Sequence, residues 1–211
     1  MRVRGVIFDL DGTLADTLPV AYAALGEIFR EYSGVVYSDS EIHAMFGPCE
    51  RGLLRSRLPE WEPAFQRYLH VYEAAHAACP APFKGIPELL DALRVPIAVV
   101  TGKGAESAAI SLRLLGLADR FPIVEAGDPH GPVKPERLRR VLQQWNISPS
   151  EVAHVGDAPS DVRAGRECGV ITVAAAWSPE TNRAKLEAEN PDHLFESVAG
   201  LRDWLGLVGS S

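Results

Sequence analysis

Short apolar runs rich in β-branched residues recur along the chain at 3–8, 97–100, 152–155 and 170–174, with a weaker one at 122–125. Stretches of helical period stand between them: 105–115 stopped by Gly116, 136–145 stopped by Asn146, and 161–168 stopped by Gly169. Strands apolar along their whole length need cover on both faces, and a right-handed helical crossover lays each next strand parallel to the last. The alternation therefore predicts an α/β fold on a doubly wound parallel sheet. Ser148-Pro149-Ser150-Glu151 has the spacing of a helix start with proline at the first helical position, which predicts one tight turn before the strand that ends at Gly156.

Residues 15–83 break this rhythm. They contain no convincing strand and carry helical patterns at 19–32, 41–46 and 61–79. Ser38-Asp39-Ser40-Glu41 has capping-box spacing, and Cys79-Pro80-Ala81-Pro82 reads as a stiff return. Two units are expected: a core from 1–14 and 84–211, and an all-α insert at 15–83. Residues 194–207 read as a short strand followed by an amphipathic helix, with Gly209-Ser210-Ser211 as a frayed end.

Composition narrows the function. Hydrophobic residues make up 46% and charged residues 23% of 211 residues, ordinary values for a globular chain. A net charge of -7 argues against a general nucleic-acid binder, which would present a basic face. Cys49, Cys79 and Cys168 are odd in number and form no CxxC pair, which argues against a disulfide framework or zinc site and fits a reducing cytoplasm. Val6, Ile7 and Phe8 before Asp9 are too few for a secretory signal, and the runs at 96–100 and 170–177 fall short of the roughly 20 residues that cross a bilayer. No membrane association is expected.

The chemistry-bearing residues cluster where strands end. Asp9 and Asp11 follow the first apolar run, Thr101-Gly102 the second, and Gly156-Asp157-Ala158-Pro159-Ser160-Asp161 the fourth. Ligands of open α/β sheets bind at the carboxyl ends of strands. Gly12 permits a tight turn that aims backbone amides at an anion. Four carboxylates so gathered would repel one another without a cation, and an all-oxygen set selects a hard ion such as Mg²⁺. Lys134, before Pro135, supplies a fixed positive charge. Taken singly, these residues have plain structural readings as turn aspartates, a helix-capping threonine and a surface lysine. His43, His70, His76, His130, His154 and His193 show no metal-ligand spacing, and His154 reads as a core side chain.

The ordered set Phe8-Asp9-Leu10-Asp11-Gly12-Thr13-Leu14, Thr101, Lys134-Pro135 and Gly156-Asp157 to Asp161 resembles the haloacid dehalogenase-like (HAD) hydrolase superfamily along the whole chain. Leu14-Ala15-Asp16-Thr17 is similar to the continuation in its phosphoglycolate-phosphatase-like branch, whose members carry a helical cap just after the first motif. The resemblance implies a Rossmann-like core with strand order 3-2-1-4-5 and makes 15–83 a lid. It implies a Mg²⁺-dependent phosphatase acting on a small phosphomonoester, phosphoglycolate-like or a sugar phosphate, through an aspartyl-phosphate on Asp9. Asp11 would serve as acid and then base, while Thr101, Gly102 and Lys134 would hold the phosphoryl oxygens. The metal would lie on Asp9, Asp157 and the Asp11 carbonyl, with Asp161 at its periphery, holding a water of the ion or positioning the lysine. Glu50, Arg51 and Lys103 are candidate substrate contacts. A small phosphorylated metabolite is the implied partner, for a cytoplasmic monomer or homodimer.

The chain departs from the family pattern at Glu136 and at Cys49-Glu50, which bears on substrate more than on chemistry. Asp11 disfavours dehalogenation, because the dehalogenases of the superfamily lack an acid there. Residues 15–83 contain no lysine, which opposes a Schiff-base phosphonatase. A phosphomutase on the same scaffold remains an alternative, as does a receiver-like phospho-accepting module, which motif order and length oppose.

Overall fold

The structure, a computed structural model, describes residues 3–207. The frayed end expected at Gly209, Ser210 and Ser211 lies outside the described residues. Six strands, β1 (Gly5–Phe8), β2 (Ile97–Val100), β3 (Ile123–Glu125), β4 (Val152–Gly156), β5 (Ile171–Ala175) and β6 (His193–Phe195), form one sheet in the order β3-β2-β1-β4-β5-β6. All five pairings are parallel. The expected core order is present, extended by β6 on the β5 edge. Every residue of β1, β4 and β5 is buried, whereas the edge strands β3 and β6 are only half covered. That gradient is why the run at 122–125 is the weakest strand signal in the sequence.

Between β1 and β2 the chain forms α1 (Leu18–Ser33), α2 (Asp39–His43), α3 (Glu50–Arg57) and α4 (Trp61–Ala75), then a 3₁₀ turn at His76–Ala78. Leu25, Ile28 and Phe29 of α1 share a buried cluster with Phe65, Tyr68 and Tyr72 of α4. Gly34 ends α1 in the left-handed conformation at φ 70°. The capping box at Ser38 forms as expected: Glu41 N–H donates to Ser38 Oγ at 3.3 Å, and Ser38 N–H donates to Glu41 Oε2 at 2.8 Å. It therefore starts α2 at Asp39, earlier than the periodicity alone suggests. At the return, Phe83 N–H donates to the Leu14 carbonyl at 2.9 Å, so the segment leaves and rejoins the sheet at one point.

The remaining helices, α5 (Ile86–Ala92), α6 (Ala105–Leu114), α7 (Lys134–Trp145), α8 (Pro159–Cys168), α9 (Arg183–Ala188) and α10 (Val198–Trp204), cover both faces of the sheet. Ile7 of β1 packs with Leu138, Val141 and Leu142 of α7, while Val6 and Phe8 face the larger cluster on the other side. No helix among the described residues is long and apolar enough to cross a membrane. Cys49, Cys79 and Cys168 are free thiols.

Candidate active site

Register sets the site. Phe8 pairs with Val155 across β1 and β4, so Asp9 and Asp157 emerge side by side just past the same end of the sheet. Asp9 N–H still donates to the Val155 carbonyl at 2.8 Å, which pins the acid to the strand end. Leu10 turns fully into the core, and Gly12 takes φ 74° to bring the loop back. A Cβ on Gly12 would stand 2.1 Å from Asp157 Oδ2, so only glycine lets the two loops close together. Gly156 serves the adjacent turn likewise: its Cβ would meet Asp161 Cγ at 2.3 Å.

Asp9, Asp157 and Asp161 each place an oxygen within 4.8 Å of the others, and all three are buried. Lys134, the first residue of α7, reaches into this cluster. Its Nζ bonds Asp161 Oδ1 and lies 3.2 Å from Asp9 Oδ1. The latter contact is an ion pair without hydrogen-bond geometry, and among the described residues Asp9 Oδ1 has no hydrogen-bond donor. Asp161 is fully engaged, since its Oδ2 accepts the Ala158 N–H at 3.0 Å. It holds the lysine in place and caps the start of α8.

The electrostatics divide the three acids. Burial raises the Asp9 carboxyl to about 7, reinforced by Asp161 and Asp11 and only partly opposed by Lys134. Burial likewise raises Asp157, with Asp9 and Asp161 adding to it. Asp161 goes the other way: burial would raise it, but Lys134 and its hydrogen bonds hold it below the usual range. His154, buried on β4 with Nε2 3.9 Å from Asp161, is driven down to about 4 by burial. It is neutral at neutral pH, so the lysine keeps Asp161 ionised. Burial of Lys134 opposes its charge, yet the two aspartates outweigh burial and keep it protonated.

Asp11 stands apart from this trio. Its Oδ1 accepts from Thr17 Oγ1 and lies 3.3 Å from Lys103 Nζ. Lys103 is buried between Asp11 and Glu50, whose Oε1 is also 3.3 Å away, and it rests over the Tyr72 ring at 4.5 Å. Glu50, at the start of α3, is saturated: it accepts from Gly104 N–H at 2.7 Å, Ser107 Oγ at 2.8 Å and Tyr68 OH at 3.2 Å. Burial opposes its ionisation, but Lys103 and these donors hold its carboxyl below the usual range. Thr101 Oγ1 accepts the Lys103 N–H at 3.1 Å, leaving the hydroxyl proton free to be donated.

One cavity of about 540 Å³ is bounded by Asp9, Asp11, Thr101, Gly102, Lys134 and Asp157 on the sheet side and by Leu18, Ala21, His43 and Phe46 on the helical side, while Asp161 and His154 stand behind its wall. Among the candidates, Arg51 is not brought to it. Its guanidinium pairs with Glu106 and lies 4.2 Å from the centre of the Phe65 ring. Glu50 and Lys103 reach the wall but are spent on each other. Sequence reasoning missed Arg163 and Lys185, which stand at the rim. Neither lies in a strand-end motif, and only the tertiary fold of α8 and α9 carries them there.

Fold and site together define an α/β enzyme with its acids at the carboxyl end of a parallel sheet. Residues 6–175 match the family described as haloacid dehalogenase-like hydrolase, and the chain belongs to that family. Within it the chain stands among phosphatases. It is 31% identical over 204 residues to an N-acetylmuramic acid 6-phosphate phosphatase of Pseudomonas aeruginosa, covering 90% of each chain. It is 31% identical over 219 residues to a phosphoglycolate phosphatase of Chromobacterium violaceum, covering 96% of each. Its fold is similar to that of a haloacid dehalogenase-like family hydrolase from Streptococcus pneumoniae, with TM-score 0.77 and 24% identity over 96% of this chain and 98% of that one.

Proposed function

We propose that this hydrolase is a Mg²⁺-dependent phosphatase of a small cytoplasmic phosphomonoester, with Asp9 as nucleophile on a core of residues 1–14 and 84–211, roofed by residues 15–83 acting as a lid. The observation that carries this reading is the cluster of Asp9, Asp157 and Asp161 around Lys134, whose Asp9, Asp157 and Lys134 line the cavity. The cluster fits a hard cation: its donors are all oxygen, Asp9 Oδ1 lacks a hydrogen-bond donor, and Asp9 and Asp157 sit where an ionised carboxylate needs a positive neighbour. Asp9, Asp157 and the Asp11 carbonyl would hold Mg²⁺. When bound, the ion supplies positive charge that favours ionised carboxylates and draws charge from the phosphoryl oxygens.

The residues divide the reaction as follows. A carboxylate oxygen of Asp9 attacks phosphorus, forming an acyl phosphate as the ester O–P bond breaks. Asp11 gives its proton to the departing oxygen, then takes one from the water that attacks the acyl phosphate, so inorganic phosphate leaves and both acids are restored. Thr101 donates its free hydroxyl proton, with the Gly102 amide, to the transferring oxygens, and Lys134 offsets their charge. Asp161 acts through Lys134 by fixing its ammonium. The expected substrates are small phosphomonoesters, phosphoglycolate-like or sugar phosphates, because a closed lid leaves room for nothing larger.

Hydrolysis of p-nitrophenyl phosphate tests the reading. Free phosphate is expected with Mg²⁺, falling at least roughly a hundredfold on chelation and returning when Mg²⁺ is added back. Release that ignores chelation would contradict the metal assignment. An isomerised sugar phosphate with no free phosphate would make the enzyme a mutase.

A further inference from the structure

Resting on the phosphatase reading, we infer that the body of the substrate is an uncharged ring of sugar type, seated on Phe46, and not a small anionic acid such as phosphoglycolate. The first observation is charge. Of the cations that line the cavity, Lys103 is neutralised by Glu50, Lys134 by Asp9 and Asp161, and Arg163 by Glu189. Lys185 alone pairs with no carboxylate among the described residues, and it is an exposed rim residue whose attraction for an anion water and salt would screen. A carboxylate tail would therefore enter a cavity already rich in acids with no buried cation to receive it.

The second observation is shape and surface. The cavity of about 540 Å³ is far roomier than a two-carbon acid requires. Its helical wall is apolar, made by Leu18, Ala21, Leu53 and Phe46. Phe46 keeps 38% of its surface exposed and is braced rather than loose: Tyr22 stacks on it at 5.9 Å and 27°. A sugar ring offers one face of C–H bonds that can cover such an aromatic, and hydroxyls at its edge. His43 stands beside Phe46 with ring centres 5.5 Å apart. Its Nδ1 is bonded to Tyr22 OH at 2.9 Å, and the opposite ring nitrogen has no protein partner among the described residues, so it can meet a ring hydroxyl.

The test compares kcat/KM for glucose 6-phosphate and phosphoglycolate in the wild type, Phe46→Ala and Phe46→Tyr. The wild type is expected to favour the ring ester by at least tenfold. Phe46→Ala should cut that ratio by roughly tenfold, chiefly through KM on the ring ester, and Phe46→Tyr should keep most of it. Preference for phosphoglycolate, or a ratio unmoved by Phe46→Ala, overturns the inference. Calorimetric titration of the same two esters separates it from the phosphatase reading. If no ester yields phosphate, that reading fails, while tighter binding of glucose 6-phosphate that Phe46→Ala abolishes still supports the ring site, and equal binding of the two sinks it.

Discussion

Asp9→Asn is expected to lower phosphate release by on the order of 10⁴-fold or more while the fold persists. The change removes the nucleophilic oxygen but keeps the shape of the side chain, and the strand-end hydrogen bond uses the Asp9 backbone, which is untouched. The variant also carries a signature in stability. In the folded chain the Asp9 carboxyl is raised to about 7 from 3.8, so the native state binds its proton more tightly than the unfolded chain. Asp9 therefore lends stability below about pH 4, and this is lost as pH rises through about 7. With chelator present, Tm of Asp9→Asn relative to wild type should climb across that window. A difference that is flat or falling with pH would contradict the burial argument for Asp9.

Lys134→Ala should harm both activity and stability. Removing it takes away the cation that Asp9 and Asp161 share, leaving three buried carboxylates within 4.8 Å of one another. Breaking a buried pair by deleting one partner costs about 3–5 kcal/mol, because the survivors keep their desolvation penalty without compensation. Urea denaturation should register a loss of that size. Turnover should fall by roughly 10²–10³-fold, the effect of deleting one preorganised donor to a developing charge. A variant as stable as wild type would mean that Asp161 is held by something other than the lysine.

The placing of the candidate residues was largely legible in the sequence because strand ends and glycines leave local marks. Asp9, Thr101 and Asp157 follow apolar runs directly, and Gly12 and Gly156 mark where loops must pass close to Asp157 and Asp161. Helix ends were readable for the same reason: Asn146 and Gly169 take positive φ where α7 and α8 stop. Three short helices were not. α3, α5 and α9 have six to eight residues each, too few for a period to stand out, and their burial is decided by neighbours distant in sequence.

The candidate substrate contacts show the same limit. Glu50, Arg51 and Lys103 all read as charges available to a substrate. Sequence carries no sign that Glu50 would dock on the start of α6, or that Arg51 would turn to Glu106. Pairing across more than fifty residues is a tertiary fact. The same holds for Phe46, whose stacking on Tyr22 of α1 is likewise a tertiary contact.

The central claim is the covalent bond on Asp9, and reductive trapping tests it most directly. Borohydride added during turnover with Mg²⁺ reduces an acyl phosphate to the alcohol, so mass spectrometry of the peptide spanning Asp9 should find homoserine at that position only when a phosphomonoester is present. Reduction at another acid, or full turnover with the Asp9 peptide unchanged, would contradict the assignment of Asp9 as the nucleophile.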